Sequence, residues 1–362
     1  MKKIIYLLPF ICFLQLNAQS YSLEQGKSDF QKNRNALIQP VPDDIQKYFD
    51  IAIDEIDQML KGEKPLSFKR AVYLVENAYF NGKISWEEYN NDILSISPIL
   101  NKMIDDRNLR QYKTAGNWAV FTYMSDSIPE NNFKPYQYDF EGFMSDSDKE
   151  SYMVSQLLKT RKGNCRALPY FYKILADEVG VEAFIALAPM HCYVKHRDEQ
   201  GNWWNLEMTT GSFSRSSFVM ETFNVSEIAI ESGLFMKSLS DAESVAYCIY
   251  DLLGYYEDRT GRYSDDFVKR CYEIGLQYYP NSQLQISKAN DLQFRLNSKM
   301  IEKGLGGYGD LVYYPELMNE FEVMNATFEY LSNIGYSTMK NEDYEKMVLD
   351  VKEKQTKLNL EK

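Results

Sequence analysis

Cys165 lies in "RKGNCRALPY" (161–170), where a glycine and an asparagine lead into a thiol and an apolar helical pattern follows. A thiol at a helix start faces unsatisfied backbone N–H groups and the positive end of the helix dipole. Both favour thiolate, the nucleophilic form. Pro169 removes the N–H that would bond the Cys165 carbonyl in a regular helix, so a distorted first turn holding the thiol at a bend is expected. A thiolate nucleophile usually works with a base, most often histidine. The chain has two, His191 and His196. The chemistry such a pair could perform is attack on an acyl carbonyl.

The elements that must position these groups follow from periodicity. Leu168, Phe171, Tyr172, Leu175 and Val179 form one helical stripe, and Gly180 is a natural stop. "VEAFIALA" (181–188) reads as a buried strand, and 191–197 with 203–209 as a hairpin around "DEQGN". Strand alternation puts His191 and His196 on opposite faces. The apolar context turns His191 inward toward the helix that carries Cys165 and His196 toward water. In a symmetric five-residue turn, His191 pairs with Thr209 and Glu207 is its diagonal neighbour, within reach of a long side chain. A three-residue turn would put Glu207 directly opposite. Asn205 shares the face one step further away and is the alternative third member. Cys192 points the other way.

Plainer readings stand beside these. A single cysteine is often a small buried hydrophobe, His191 could be a satisfied core histidine, and Glu207 a charged strand edge. No metal site is expected, because Cys165, His191, Cys192 and His196 cannot converge from opposite strand faces and no CxxC pair exists. No cofactor is expected either. "GLGGYGD" (304–310) lacks the lysine and hydroxyl residue of a phosphate loop.

The order of cysteine at a helix start, histidine on a strand and acid on the next strand resembles the transglutaminase-like superfamily of papain-like cysteine enzymes. "RKGNC", "APMHCYV" and "NLEMTTG" are most similar to its bacterial SirB1-type branch, over roughly residues 110 to 225. The resemblance implies Cys165 as nucleophile, His191 as base and Glu207 as orienter, with glutamate where the superfamily usually has aspartate. It implies a cysteine hydrolase or acyl transferase acting on peptide or other amide bonds, with backbone N–H groups near Cys165 holding the oxyanion. The alternative is a catalytically silent peptide-binding or scaffold protein using the same cleft and the C-terminal helices.

The rest of the chain frames this core. Residues 1–18 read as a signal peptide. Lys2 and Lys3 precede an apolar stretch too short to span a membrane, and Ala18 is a plausible cleavage point. An exported protein, periplasmic or extracellular, is expected, with no membrane span. Loss of the two lysines takes the net charge from −12 to −14, which disfavours nucleic acid as a partner. Residues 19–109 read as an N-terminal helical segment. Its helices are expected over 43–61, over 66–80, in a third segment broken before Pro98, and over 108–124. The polar, aromatic stretch 125–148 is expected to be a functional loop or cover. Residues 110–225 hold the α+β core with antiparallel strands. Residues 226–362 are helical again and resemble a degenerate tetratricopeptide repeat at Tyr250, Leu253, Gly254, Val268, Tyr272, Gly275 and Pro280, a possible surface for a protein partner. Cys248 and Cys271 lie on consecutive helices there and could pair.

Overall fold

The computed structural model describes residues 23–143 and 149–360. The signal-peptide reading falls outside them. The chain is mixed α and β: helices dominate, with a four-stranded antiparallel sheet and a two-stranded parallel pair. No helix among the described residues is long and apolar enough to cross a membrane.

The chain divides into two compact units. One comprises Ser67–Val225, Phe235–Ser244 and Met339–Lys362. The other comprises the described residues up to Leu66, with Ser226–Leu234 and Val245–Thr338. This division runs differently from the segments 19–109, 110–225 and 226–362. Helices that precede the core in sequence pack on its central helix, and the last helix returns to it.

In the first unit, helices α3 (Phe68–Tyr79), α4 (Trp86–Asp106), α5 (Ala115–Ser125) and α6 (Val154–Thr160) pack around α7 (Ala167–Val179). (Helices α1, Leu23–Ala36, and α2, Asp43–Leu60, belong to the other unit.) Ser67 and Ser85 cap α3 and α4 by accepting the backbone N–H groups of Arg70 and Glu88. Helix α4 runs unbroken through Pro98, contrary to the expected break. One lost N–H costs little here, because the Leu94 carbonyl it would have bonded belongs to an exposed residue. The helix expected over 108–124 begins only at Ala115. Asn108 takes a positive φ of 52° and the chain turns before α5.

Strands β3 (Phe184–Ala188), β4 (His191–Arg197), β5 (Trp203–Glu207) and β6 (Ser212–Ser214) form a meander, with α7 against β3 and β4. The β4–β5 register pairs Val194 with Leu206 and Arg197 with Trp203, so the five-residue turn is symmetric. The open edge of β3 is covered: Met236 and Leu239 donate their N–H groups to the Leu187 and Ile185 carbonyls at 2.8 and 2.9 Å. In the stretch 125–148, β1 (Gln137–Tyr138) pairs in parallel with β2 (Lys162–Gly163), immediately before the thiol.

The second unit is helical. After the first two helices come the short α9 (Glu227–Glu231; α8, Ser216–Phe223, belongs to the first unit), then α10 (Asp241–Thr260, from Val245 onward), α11 (Asp266–Tyr278), α12 (Leu284–Glu302) and α13 (Pro315–Asn333), the last three packing in succession. Gly275 sits in close packing, since a Cβ there would run into the end of the Leu284 side chain. Cys248 and Cys271 are both buried and neither forms a disulfide, so the pairing considered for them is not made.

Candidate active site

The approach to Cys165 is built by its two preceding residues. A Cβ on Gly163 would lie 2.9 Å from Ala167 Cβ and 3.1 Å from Leu157 Cδ1, so only glycine lets α6 and α7 come this close. The Asn164 side-chain oxygen accepts the N–H groups of Arg166 and Ala167, at 2.9 and 3.4 Å. It caps α7 and satisfies donors that would otherwise be orphaned. Helix α7 begins at Ala167, two residues after the thiol, which places Pro169 in the first turn where no intrahelical N–H is needed. The bend lies at Cys165 and Arg166, just before the helix: the Leu168 and Tyr170 N–H groups bond the Asn164 and Arg166 carbonyls at 3.2 and 3.1 Å, and Pro169 supplies no N–H to the Cys165 carbonyl between them. The same cap revises the oxyanion expectation. The Arg166 and Ala167 N–H groups are spent on Asn164, and the Cys165 N–H is left without a partner among the described residues.

His191 is delivered by a tight turn. Pro189 and Met190 join Ala188 to its strand partner His191, and Met190 carries φ of 56°, an uncommon conformation for a side-chain-bearing residue. The imidazole lies flat on Phe223, with centroids 4.3 Å apart and planes 12° from parallel. Its Nε2 is 2.7 Å from Glu207 Oε2, and both residues are buried. Its Nδ1 has no aligned hydrogen-bond partner, but the ring interacts electrostatically with the Cys165 sulfur. Asn205 does not compete for the ring: its amide donates to the Ser214 carbonyl and to Ser216 Oγ, at 3.1 and 3.2 Å.

The electrostatics favour an ion pair. Burial pushes the Cys165 thiol up, but the adjacent imidazolium outweighs it, helped by the Tyr344 hydroxyl, and the net direction is down. Burial likewise disfavours the charged form of His191; Glu207 and Cys165 reverse that and raise it to about 10. Both shifts favour thiolate beside imidazolium. Cys271, buried without such partners, is pushed well above its ordinary value.

Tyr344, on α14 (Asn341–Leu360), gave no signal in the sequence. Its hydroxyl donates to Cys165 Sγ at 3.0 Å, and its ring packs near Phe143. Tyr138 from β1 joins the group, its phenol pushed up by burial and by Cys165. The thiol is 7% exposed. A cavity of about 700 Å³ opens onto His191, Glu207, Phe223 and Tyr344, and α14 forms one wall with Met347 and Val351. Phe223 could have been suspected only as an apolar residue of a short helix; nothing in spacing ties it to His191.

His196 is not in water, as parity and apolar context had suggested. It is buried on the other sheet face, edge-on to Phe213. No cluster of metal-ligating side chains occurs among the described residues. No protein-family model, curated protein or solved structure matches the chain.

Proposed function

We propose that the protein is a cysteine hydrolase or acyl transferase acting on peptide or other amide bonds, with the transglutaminase-like order of Cys165, His191 and Glu207. The observation that carries the reading is the 2.7 Å contact from His191 Nε2 to Glu207, on a ring that also lowers the Cys165 pKa. Glu207 holds Nε2–H, leaving Nδ1 to manage the proton. The thiolate attacks the substrate carbonyl, and the Cys165 N–H is the donor available to the developing oxyanion. The imidazolium passes its proton to the leaving amine, giving an acyl-thioester that water or a second amine resolves. The apolar leader supports delivery outside the cytoplasm, which N-terminal sequencing of protein from the cell envelope tests through a start near Gln19.

A second reading is favoured by one observation: Tyr344 stands on the sulfur, as it would in a silent peptide-binding module. Alkylation of the intact protein by iodoacetamide, followed by mass spectrometry, separates the two. Modification of Cys165 at neutral pH, ahead of Cys192, Cys248 and Cys271, supports the enzyme. Equal, slow modification of all four rejects it.

A further inference from the structure

The sheet face opposite His191 carries a second cavity, of about 540 Å³. Its walls are aromatic: Trp118 and Phe121 from α5, Trp204 from β5 and Phe213 from β6. Phe213 is the centre, with Phe121, His196 and Trp204 around it at centroid distances of 5.6, 5.8 and 6.0 Å. Trp204 and Phe213 are each nearly half exposed, so the cavity is open to a ligand.

Its charged groups are of one sign. Three donors in the lining are spent on the protein: Trp204 Nε1–H on Asp198, Asn117 on the Glu182 carbonyl, and Thr114 Oγ1–H on Glu199. Thr122 adds a hydroxyl, and the two charged side chains of the lining are both carboxylates. Asp126 is exposed and forms no ion pair or side-chain hydrogen bond among the described residues. Asp198 is held ionised by the Trp204 indole N–H, at about 2; its two oxygens already accept N–H groups of Gln200, Asn202 and Trp204, so it contributes its charge. Burial lowers His196, and its Nδ1 donates to the Arg197 carbonyl at 3.2 Å, so the neutral ring keeps Nε2 as an acceptor. Two carboxylates and no lysine or arginine in the lining suit a cation bearing N–H groups.

The tryptophans narrow the cation. Three of the four carry an arginine: Arg70 over Trp86 at 4.6 Å, Arg107 over Trp118 at 5.0 Å and Arg197 over Trp203 at 5.5 Å. Trp204 carries no cation among the described residues. A guanidinium is planar, weakly hydrated and forked, so it stacks on an aromatic face while donating to carboxylates; an ammonium is more strongly hydrated and does this less well. We propose that the cavity walled by Trp204 and Phe213 binds a guanidinium group, supplied by an arginine side chain, with Asp126 and Asp198 as its counter-charges. The site is separate from the thiol chemistry and stands whether or not Cys165 is catalytic.

The test is titration of the full chain with N-acetyl-arginine amide, read by tryptophan fluorescence and calorimetry. Saturable binding is expected, with N-acetyl-lysine amide weaker and the neutral isostere N-acetyl-citrulline amide weaker still. Asp126→Asn, which removes an exposed charge and no internal bond, should weaken binding about fivefold, the size of one exposed charge pair. Trp204→Leu should weaken it further, with an unchanged thermal midpoint showing that the fold survives. Tighter binding of an arginine flanked by glycines would identify a peptide as the source, and equal binding a free small molecule. Citrulline binding as well as arginine, competition by a neutral disaccharide, or no saturation by about 10 mM would each overturn the proposal.

Discussion

Glu207 Oε2 lies 2.7 Å from His191 Nε2, and the second carboxylate oxygen, Oε1, has no hydrogen-bond partner. The carboxylate thus spends its bonding on the imidazole. Exchange of Glu207 for glutamine keeps the shape and removes the charge. Once a substrate is found, Glu207→Gln should slow turnover by about 10²- to 10⁴-fold, the range for loss of a general acid–base function. Asn205→Ala should change the rate little, since Asn205 bonds Ser214 and Ser216 instead. If Asn205→Ala is the slower variant, Glu207 is not the orienting group.

The pH dependence follows from the same pair. The thiol is lowered and His191 is raised to about 10, so the ion pair exists between the depressed thiol value and about 10. Alkylation of Cys165 should therefore set in at lower pH than that of Cys271, which should react only in alkaline solution after opening of the fold. For stability, His191 titrates higher in the folded chain than its ordinary 6.5. Its contribution is complete below that value and is lost as pH rises through about 10. Denaturant midpoints of the wild type and His191→Gln should converge at the alkaline end. A difference that grows with pH would contradict this sign.

Part of this site was legible because strand geometry is rigid. A five-residue loop between two alternating segments fixes which residues share a face, and the diagonal relation of Glu207 to His191 follows from the observed register. "GNC" was legible as a turn into a helix, but the division of labour was not: Gly163 provides clearance and Asn164 provides the cap. Helix boundaries were the weak point. Pro98 lies within α4 because solvent takes over the carbonyl it orphans, a matter of exposure rather than of local sequence. Parity put His196 on the face away from His191 and apolar context turned that face to water, yet strand β6 brings Phe213 over it. Tyr344 was out of reach altogether. It is 179 residues from Cys165 in the chain, and helical periodicity says which face is apolar but not what that face will cover.

The two residues before the thiol make separable contributions. Gly163→Ala forces a methyl against Ala167 and Leu157, and overpacking of this kind costs about 1–3 kcal/mol. Asn164→Ala removes a cap, which costs about 1 kcal/mol, and it frees two N–H groups beside the sulfur. Urea unfolding should show both losses. A fully stable Gly163→Ala would mean that α6 and α7 can move apart without penalty.

Tyr344 both hydrogen-bonds the sulfur and stands in its path, and two substitutions separate these effects. Tyr344→Phe keeps the ring and deletes the donor to Cys165 Sγ. The hydroxyl favours thiolate, so its loss should move the alkylation profile of Cys165 to higher pH while leaving the limiting rate at high pH nearly unchanged. Tyr344→Ala also removes the ring, opening the cavity onto the sulfur, and should raise that limiting rate. A peptide substrate must displace the same ring, so Tyr344→Ala should lower KM more than it changes kcat. If neither variant alters Cys165 alkylation, the hydroxyl contact does not control access, and the thiol is reached by some path other than the cavity beside α14.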